Sequence, residues 1–594
     1  MSAGCKVGEN PKFFPRGGLR RGFLAIGVAG ALLAGVASRQ AAAQDFIVLA
    51  ETESAPPLAL PTVTSSLDSF AAVSAELQRE DRRLAALEAK MAALEKTAVE
   101  TLPTPPAAKD PAANEKKAAG KDAGKDSAKD TAKPAEEPYE VGSDLSMPTK
   151  WNFGLEGSSP HKDFRVKVGG RVQFDNTAFS QGAGPAQKPR DGGLNQPLRD
   201  ATDFRRTRVR VDGRMYEVYD FVSEWDFSNQ LNANSLAQPS ESVLGNYAAI
   251  TENWIQIREL PVLGTLRGGN QKDPFGFEHM TSSRFLNFME RSYAQDLYEG
   301  PFNNGFVPGV RMLNNAFNQR LTWSAGIFKQ NSNVFGYANT GRANSMVGRL
   351  TWLPVYEDEG KKLLHLGIAG RAQQTNLGDA VRLRARGDLR NGPPGPLNSI
   401  YIDSGLLTAT WQNQVGVEFV GNNGPWSFQS EYFGNWLYNT TSTGQAFDPL
   451  NPSYGTAGLQ PNKTFCGTYF TNSGYAEVLY FITGESRAYD RVEARFDRVI
   501  PRNNFYVLRD GSGRIISSEG ALQVGMRYQY ACLSDHQING GTLNALTLGL
   551  NWFFNPNSKL QFNYDFAYRD FTNNLNKNAS GWITGFGTRL AFDF

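Results

Sequence analysis

From Trp151 onward, apolar and polar residues alternate with a period of two. Leu560, Phe562, Tyr564, Phe566 and Tyr568 fall on one face of an extended segment, and Gln561, Asn563, Asp565, Ala567 and Arg569 on the other. The segment before it repeats the pattern, with Leu546, Leu548, Leu550, Trp552 and Phe554 set against Thr547, Gly549 and Asn551. Asn555-Pro556-Asn557-Ser558 supplies the tight turn between them. The last segment places Trp582, Phe586, Leu590, Phe592 and Phe594 opposite Gly585, Gly587, Arg589 and Asp593. Counting such segments predicts roughly sixteen strands. They cover 163–178, 203–215, 217–228, 249–260, 263–271, 305–315, 319–330, 345–354, 362–374, 408–421, 426–437, 472–483, 518–530, 543–554, 559–569 and 581–594.

Alternation by itself also describes a soluble sandwich. Three features favour a membrane barrel. The apolar faces are strongly aromatic, with aromatics gathered at strand ends as interface girdles require. The polar faces carry Arg, Asp, Asn and Gly, which suit a wet lumen. The final strand is aromatic-rich and ends in Phe594, resembling the C-terminal signal read by the barrel-assembly machinery of Gram-negative bacteria. Hydrocarbon cannot satisfy a free strand edge, so such a sheet must close. The expected fold is all-β, a sixteen-stranded antiparallel transmembrane β-barrel with outer-membrane lipid as its solvent. An even strand count puts both ends of the barrel domain, 151–594, on the periplasmic side.

The chain before Trp151 follows other rules. Residues 1–43 read as a signal peptide, with Arg16, Arg20 and Arg21 before the apolar stretch Gly22 to Val36 and small residues Ala41 to Ala43 before Gln44. The apolar stretch is short for a transmembrane helix. Arg20-Arg21-Gly22-Phe23-Leu24 resembles a twin-arginine signal, but that route carries folded cargo and does not suit a barrel. Residues 68–99 carry a heptad pattern, Phe70, Leu77, Leu84, Met91 and Ala98 with Val73, Leu87 and Leu94, broken at Glu80. Period 3.5 predicts a short periplasmic coiled coil, or a single amphipathic helix packed on something else. Residues 100–150 are dominated by Ala, Lys, Asp and Pro and read as a disordered, charge-mixed linker whose lysines could touch the cell wall.

Composition changes this picture little. Sixty glycines, 38 phenylalanines and 21 tyrosines in 594 residues fit many two-faced strands, and a mean hydropathy of −0.42 is too polar for a bundle of membrane helices. The net charge of +2 makes local clusters more informative than the total. Of three cysteines, Cys5 lies in the signal peptide; Cys466 and Cys532 fall in predicted extracellular loops, where a disulfide between them is open. The four histidines, His161, His279, His365 and His536, lack metal-ligand spacing. No cofactor, catalytic constellation or nucleic-acid motif is implied.

Several segments resemble the phosphate-selective porins O and P of bacterial outer membranes. Phe164-Arg165-Val166-Lys167-Val168-Gly169-Gly170-Arg171 looks like the family's first strand and Phe204-Arg205-Arg206 its second. Phe277-Glu278-His279-Met280-Thr281-Ser282-Ser283 with Glu290-Arg291 resembles its constriction loop. Thr483-Gly484-Glu485-Ser486-Arg487 and Leu550-Asn551-Trp552 add weaker matches. The resemblance implies a homotrimer of sixteen-stranded barrels passing inorganic phosphate or other small anions. It also implies that Arg382, Arg384, Arg386 and Arg390 form an anion ladder on an inward-folded loop, that Ser282, Ser283 and Arg291 contact phosphate, and that 484–517 folds into the lumen from the periplasmic side. Position 279 departs from the pattern, holding histidine where the family has lysine, which puts strict phosphate selectivity in doubt.

The residues speak independently of the resemblance. Arg382, Arg384 and Arg386 share one side of an extended segment, and guanidinium matches phosphate oxygens in pairs. The alternative is a solvated basic loop facing lipopolysaccharide. On the second strand Arg206, Arg208 and Arg210 lie opposite Val209 and Val211, and on the first Arg165, Lys167 and Arg171 lie opposite Val166, Val168 and Val172. With Arg205 these make a basic lumen, unless they are spent in salt bridges to Asp220, Glu224 and Asp226. Function divides between an anion-preferring channel, a general diffusion porin, and a structural envelope protein tethered through its coil.

Overall fold

The computed structural model describes residues 140–594, apart from 183–197, 229–247, 299–304, 331–343, 376–379, 391–399, 443–464 and 572–579 and the single or paired positions 144, 199, 406, 510–511 and 537. The signal peptide, the coiled coil and residues 100–139 of the linker lie outside the described residues.

Sixteen antiparallel strands form one closed barrel. They are β1 (Arg165–Gln181), β2 (Ala201–Met215), β3 (Tyr219–Asp226), β4 (Ala249–Leu260), β5 (Gly264–Gln271), β6 (Val307–Ala316), β7 (Leu321–Lys329) and β8 (Asn344–Glu357). The second half comprises β9 (Lys362–Gln374), β10 (Trp411–Asn423), β11 (Trp426–Ser442), β12 (Phe465–Phe481), β13 (Ala521–Asp535), β14 (Ile538–Asn555), β15 (Ser558–Asp570) and β16 (Gly581–Asp593). Each pairs with the next, and β16 returns to β1 in the register Asp593↔Arg171 through Ile583↔Gln181. Closure leaves no edge for lipid to face.

The seam is completed by the chain end. The Gly170 N–H donates to the Phe594 carbonyl at 2.6 Å, and the Phe594 N–H donates to the Gly170 carbonyl at 3.1 Å. A Cβ at Gly170 would sit 2.9 Å from the Phe594 ring, so glycine is what admits the terminal residue. Below it the same edge of β1 is taken by a short strand, Leu155–Ser158, which itself pairs with Thr149–Trp151.

Alternation sorts the side chains as the pattern predicts. On β15 and β16, Gln561, Asn563, Asp565, Arg569 and Arg589 are buried inside, while Tyr564, Trp582, Phe586, Leu590 and Phe592 are exposed on the outer face. The exposed valines, leucines and aromatics around the barrel are its lipid-facing band. One end has turns as short as Gly424–Pro425 between β10 and β11, and it carries Phe594. Short turns of this kind mark the periplasmic end of outer-membrane barrels in general. The exception at that end is the long segment between β12 and β13.

Two cysteines are placed differently from expectation. Cys466 lies on β12 and Cys532 on β13, not in loops, because both strands extend beyond their predicted ends. Cys532 is disulfide-bonded.

Candidate functional site: a basic constriction

Described parts of three segments fold inward and fill much of the barrel: 272–298 with 305–306, 380–390 with 400–405, and 485–499. The expected inward fold of 484–517 stops there, since the Tyr506–Arg509 and Ile515–Ser518 strands pair with each other and leave Tyr506 and Ile515 exposed. The first segment leaves β5 at Gln271 and is tied to the wall at once, Asp273 receiving Arg371 at 2.5 Å. Burial alone would raise the Asp273 carboxyl, but Arg371 and His279 outweigh it and hold it at about 2. A one-turn helix, Phe277–Met280, begins after Gly276, whose φ of 96° a side chain would rarely tolerate. Its first N–H groups have no partner within the helix. Glu431 on β11 accepts from two of them, Phe277 at 2.6 Å and Glu278 at 2.9 Å. A second short helix, Tyr293–Asp296, is capped by Ser292, and the Tyr293 hydroxyl donates to Asp565 on β15 at 3.0 Å.

Arg527 on β13 joins two of the segments. Fully buried, it donates to the Glu278 carboxylate at 3.2 Å and the Glu290 carbonyl at 3.1 Å, both on the first segment. Its other arm donates to Asp388 of the second segment at 2.7 Å. The third segment is held by Glu493, which receives Arg267 from β5 at 2.8 Å and Arg311 from β6 at 2.6 Å.

What remains open is a cavity of about 450 Å³. Arg165, Lys167 and Arg171 of β1 and Arg205, Arg206, Arg208 and Arg210 of β2 form one wall. The constriction loop adds Lys272, His279, Ser282, Ser283, Arg284 and Arg291, the second segment Arg386 and Arg390, and the third Arg495 and Arg498. Fourteen Arg and Lys side chains therefore face six carboxylates: Asp212, Glu224, Glu252, Glu290, Asp296 and Asp497. Pairing is extensive but incomplete. Glu224 receives Arg171 at 2.6 Å and Arg208 at 3.0 Å. Arg208 also reaches Asp226 at 2.6 Å, and Arg210 bonds Glu252. Glu290 alone receives Arg205 at 2.9 Å, Arg206 at 3.2 Å and Arg589 at 2.7 Å. Arg589 is also paired with Asp175 at 2.6 Å, which leaves Arg205 and Arg206 to share the one Glu290 carboxylate, so the wall keeps a positive excess.

The structure brings together all four constriction candidates and all seven basic wall candidates from β1 and β2. Arg205 and Arg206 are both buried on the lumen side although they are adjacent. The register against β1 shifts between Gln173 and Phe174, leaving Arg205 as the extra residue of a β-bulge that re-aims it inward. Ser283 accepts from Arg171 at 2.5 Å. Arg291 donates to the carbonyls of Glu278 at 3.0 Å and Thr281 at 2.8 Å.

The four ladder arginines are not all placed alike. Arg386 and Arg390 line the cavity, and both reach Asp296, Arg390 at 3.1 Å. Arg382 instead bonds Asp403 at 2.9 Å and 3.0 Å, and Arg384 is buried in a short strand, Arg384–Arg386, paired with Ile400–Asp403. The register of that pair shifts between Ala385 and Arg386 because Tyr401 is the extra residue on the partner strand, so Arg384 and Arg386 keep their alternation. The segment is buried, not solvated: Arg386 is 2% and Arg390 3% exposed. Sequence reasoning missed Lys272, Arg284, Arg495 and Arg498, whose spacing carries no period; only inward folding of their segments points to them.

A closed sixteen-stranded barrel, narrowed by an inward loop and lined by an excess of fixed cations, is a porin of the outer-membrane type. The chain belongs to the family described as Phosphate-selective porin O and P, which it matches over residues 166–594. It is 25% identical over 484 residues to Porin O of Pseudomonas aeruginosa, covering 76% of this chain and 93% of that protein. An uncharacterized protein of Caulobacter vibrioides is 23% identical over 555 residues, 91% of this chain and 93% of the relative. Among solved structures, an anion-selective porin from Comamonas acidovorans aligns with 73% of this chain and 100% of its own, at 12% identity and a TM-score of 0.39.

Proposed function

We propose that this chain forms a water-filled, anion-preferring channel in the outer membrane for passive uptake of phosphate or related anions. The observation that carries the reading is the charge of the cavity wall, where fourteen cationic side chains face six carboxylates between the inward segments and the first two strands. Such a wall concentrates anions and repels cations. Because the cations come from all three inward segments as well as β1 and β2, an ion can pass from one to the next without a single deep trap. Arg386 and Arg390 are the members of the proposed ladder best placed to hand anions to the constriction, with Arg382 and Arg384 shaping the loop that presents them.

Ser282, Ser283 and Arg291 would contact the anion at the constriction. His279 in place of a lysine favours a broader anion preference than strict phosphate selection. The heptads at 68–99 and the family membership support a homotrimer, Phe594 at the seam suits recognition by the barrel-assembly machinery, and the coil and linker would reach towards the cell wall.

The test is titration of chloride current through purified protein in planar bilayers with phosphate, then pyrophosphate. Phosphate is expected to reduce the chloride current at sub-molar concentration, as a competing ligand would. A chloride current indifferent to both anions would leave a general diffusion pore; the absence of ohmic pores would leave a structural envelope protein.

A further inference from the structure

The cations of the cavity wall are held in two ways. Most face carboxylates, as Arg208 does Glu224 and Asp226. Lys272 is held differently. Its ammonium donates to the carbonyl of His279 at 2.6 Å and to that of Thr281 at 3.0 Å. No carboxylate of the described residues forms an ion pair with it, and it lines the cavity. A carbonyl is a dipole without net charge, so it fixes the ammonium in place without neutralising it. An ammonium has three N–H donors, and two are used here, which leaves one for a ligand.

The same turn gathers other cations. Arg291 donates to the carbonyls of Glu278 and Thr281, and Arg495 from the third segment donates to that of Met280 at 3.2 Å. Four consecutive carbonyls, 278–281, thus bring together three cations from the start of the loop, its far arm and a segment more than 200 residues away. Arg495 is in ion-pair contact with Asp490 at 3.4 Å, whereas Lys272 feels Glu252 only across a gap and has no carboxylate of the described residues in ion-pair contact. Meanwhile the His279 ring is buried with its Nε2 3.4 Å from Asp273, so its side chain is turned to a carboxylate of its own segment.

We propose that Lys272 is an anion-binding cation of the constriction, supplying positive charge from a carbonyl-anchored position, and that with Arg291 and the Ser282–Ser283 pair it takes a tetrahedral oxyanion. Several convergent donors suit an oxyanion better than a halide. The proposal rests on the reading of the protein as an anion channel.

The experiment compares full-length wild type, Lys272→Gln and Lys272→Arg in planar bilayers, titrating chloride current with inorganic phosphate. Loss of one charge-assisted contact is expected to raise the half-blocking phosphate concentration about tenfold in Lys272→Gln. Lys272→Arg, which keeps the charge, is expected to stay within about threefold of wild type. A glutamine variant indistinguishable from wild type overturns the proposal. So does an equal shift in both variants, which would make Lys272 a strut for the turn. Should Lys272→Gln fail to assemble, wild-type protein decides: amine acylation of Lys272, mapped by mass spectrometry, is expected to slow when phosphate replaces chloride, and an unchanged rate overturns the proposal. A wild-type channel that phosphate does not block defeats the channel reading itself; a blocked wild type with an unmoved glutamine variant defeats only the role of Lys272.

Discussion

At the scale of single residues the site depends on charges that stay fixed and one that can move. Burial would raise the Glu290 carboxyl, but Arg205, Arg206, Arg589 and Arg390 outweigh it and hold it well below the usual range. Burial would likewise raise Asp296, yet Arg386 and Arg390 keep it at about 2. Both therefore stay ionised from neutrality down past the ordinary carboxylate range, and their protonation would only add positive charge. Lys272 behaves oppositely. Burial lowers its pKa most, Arg291 and Arg495 push the same way, and Glu252 opposes them, for a net shift well below 10.5. A lysine with a lowered pKa loses its charge as pH rises through that lower value, so anion preference should weaken on the alkaline side. Chloride, which does not titrate, is the ion to use. The chloride-to-potassium permeability ratio is expected to fall as pH rises through a range below that of an ordinary lysine, with the fall abolished in Lys272→Arg. Reversal potentials across the series check this; identical profiles in the two proteins would contradict it.

At the scale of elements, the strands were legible and the way they are bent was not. The alternation at 546–569 predicted which side chains enter the lumen because a strand buried on one face repeats every two residues. It could not predict the bulge at Arg205 or the register shift before Arg386, since an inserted residue leaves composition and period unchanged on either side. The four arginines at 382–390 read as one row, while the folded segment sends two of them to the cavity and keeps two by Asp403 and its strand, a partner that their spacing does not encode. Long-range anchors were equally hidden: nothing near Arg527 in sequence marks it as the residue that ties Glu278 and Glu290 to Asp388. Its removal gives an element-scale prediction. Breaking one partner of a buried charge network costs about 3–5 kcal/mol. Arg527→Met should leave the barrel wall intact and loosen both inward segments, which on β13 would then be held through Gln529, bonded to Tyr293 at 2.8 Å and to Asp388 at 2.5 Å. Single-channel conductance is expected to rise and to become noisier, and an unchanged, quiet conductance would show that the other anchors, such as Glu431 on the Phe277–Met280 helix, suffice.

At the scale of the whole molecule, closure and charge divide the work. The barrel closes where β16 meets β1 and Phe594 meets Gly170, which isolates the lumen from lipid. Within it, inward segments narrow the passage and leave the cationic wall in excess. The net charge of the chain is only +2, so the selectivity proposed does not come from overall charge but from where the arginines are gathered. Composition could not show that concentration, since it depends on which loops turn inward. The most direct test is the reversal potential of the purified wild-type channel across a potassium chloride gradient at neutral pH. The account predicts a potential of the sign set by chloride, with chloride more permeant than potassium. A potential of zero, or of the sign set by potassium, would contradict it.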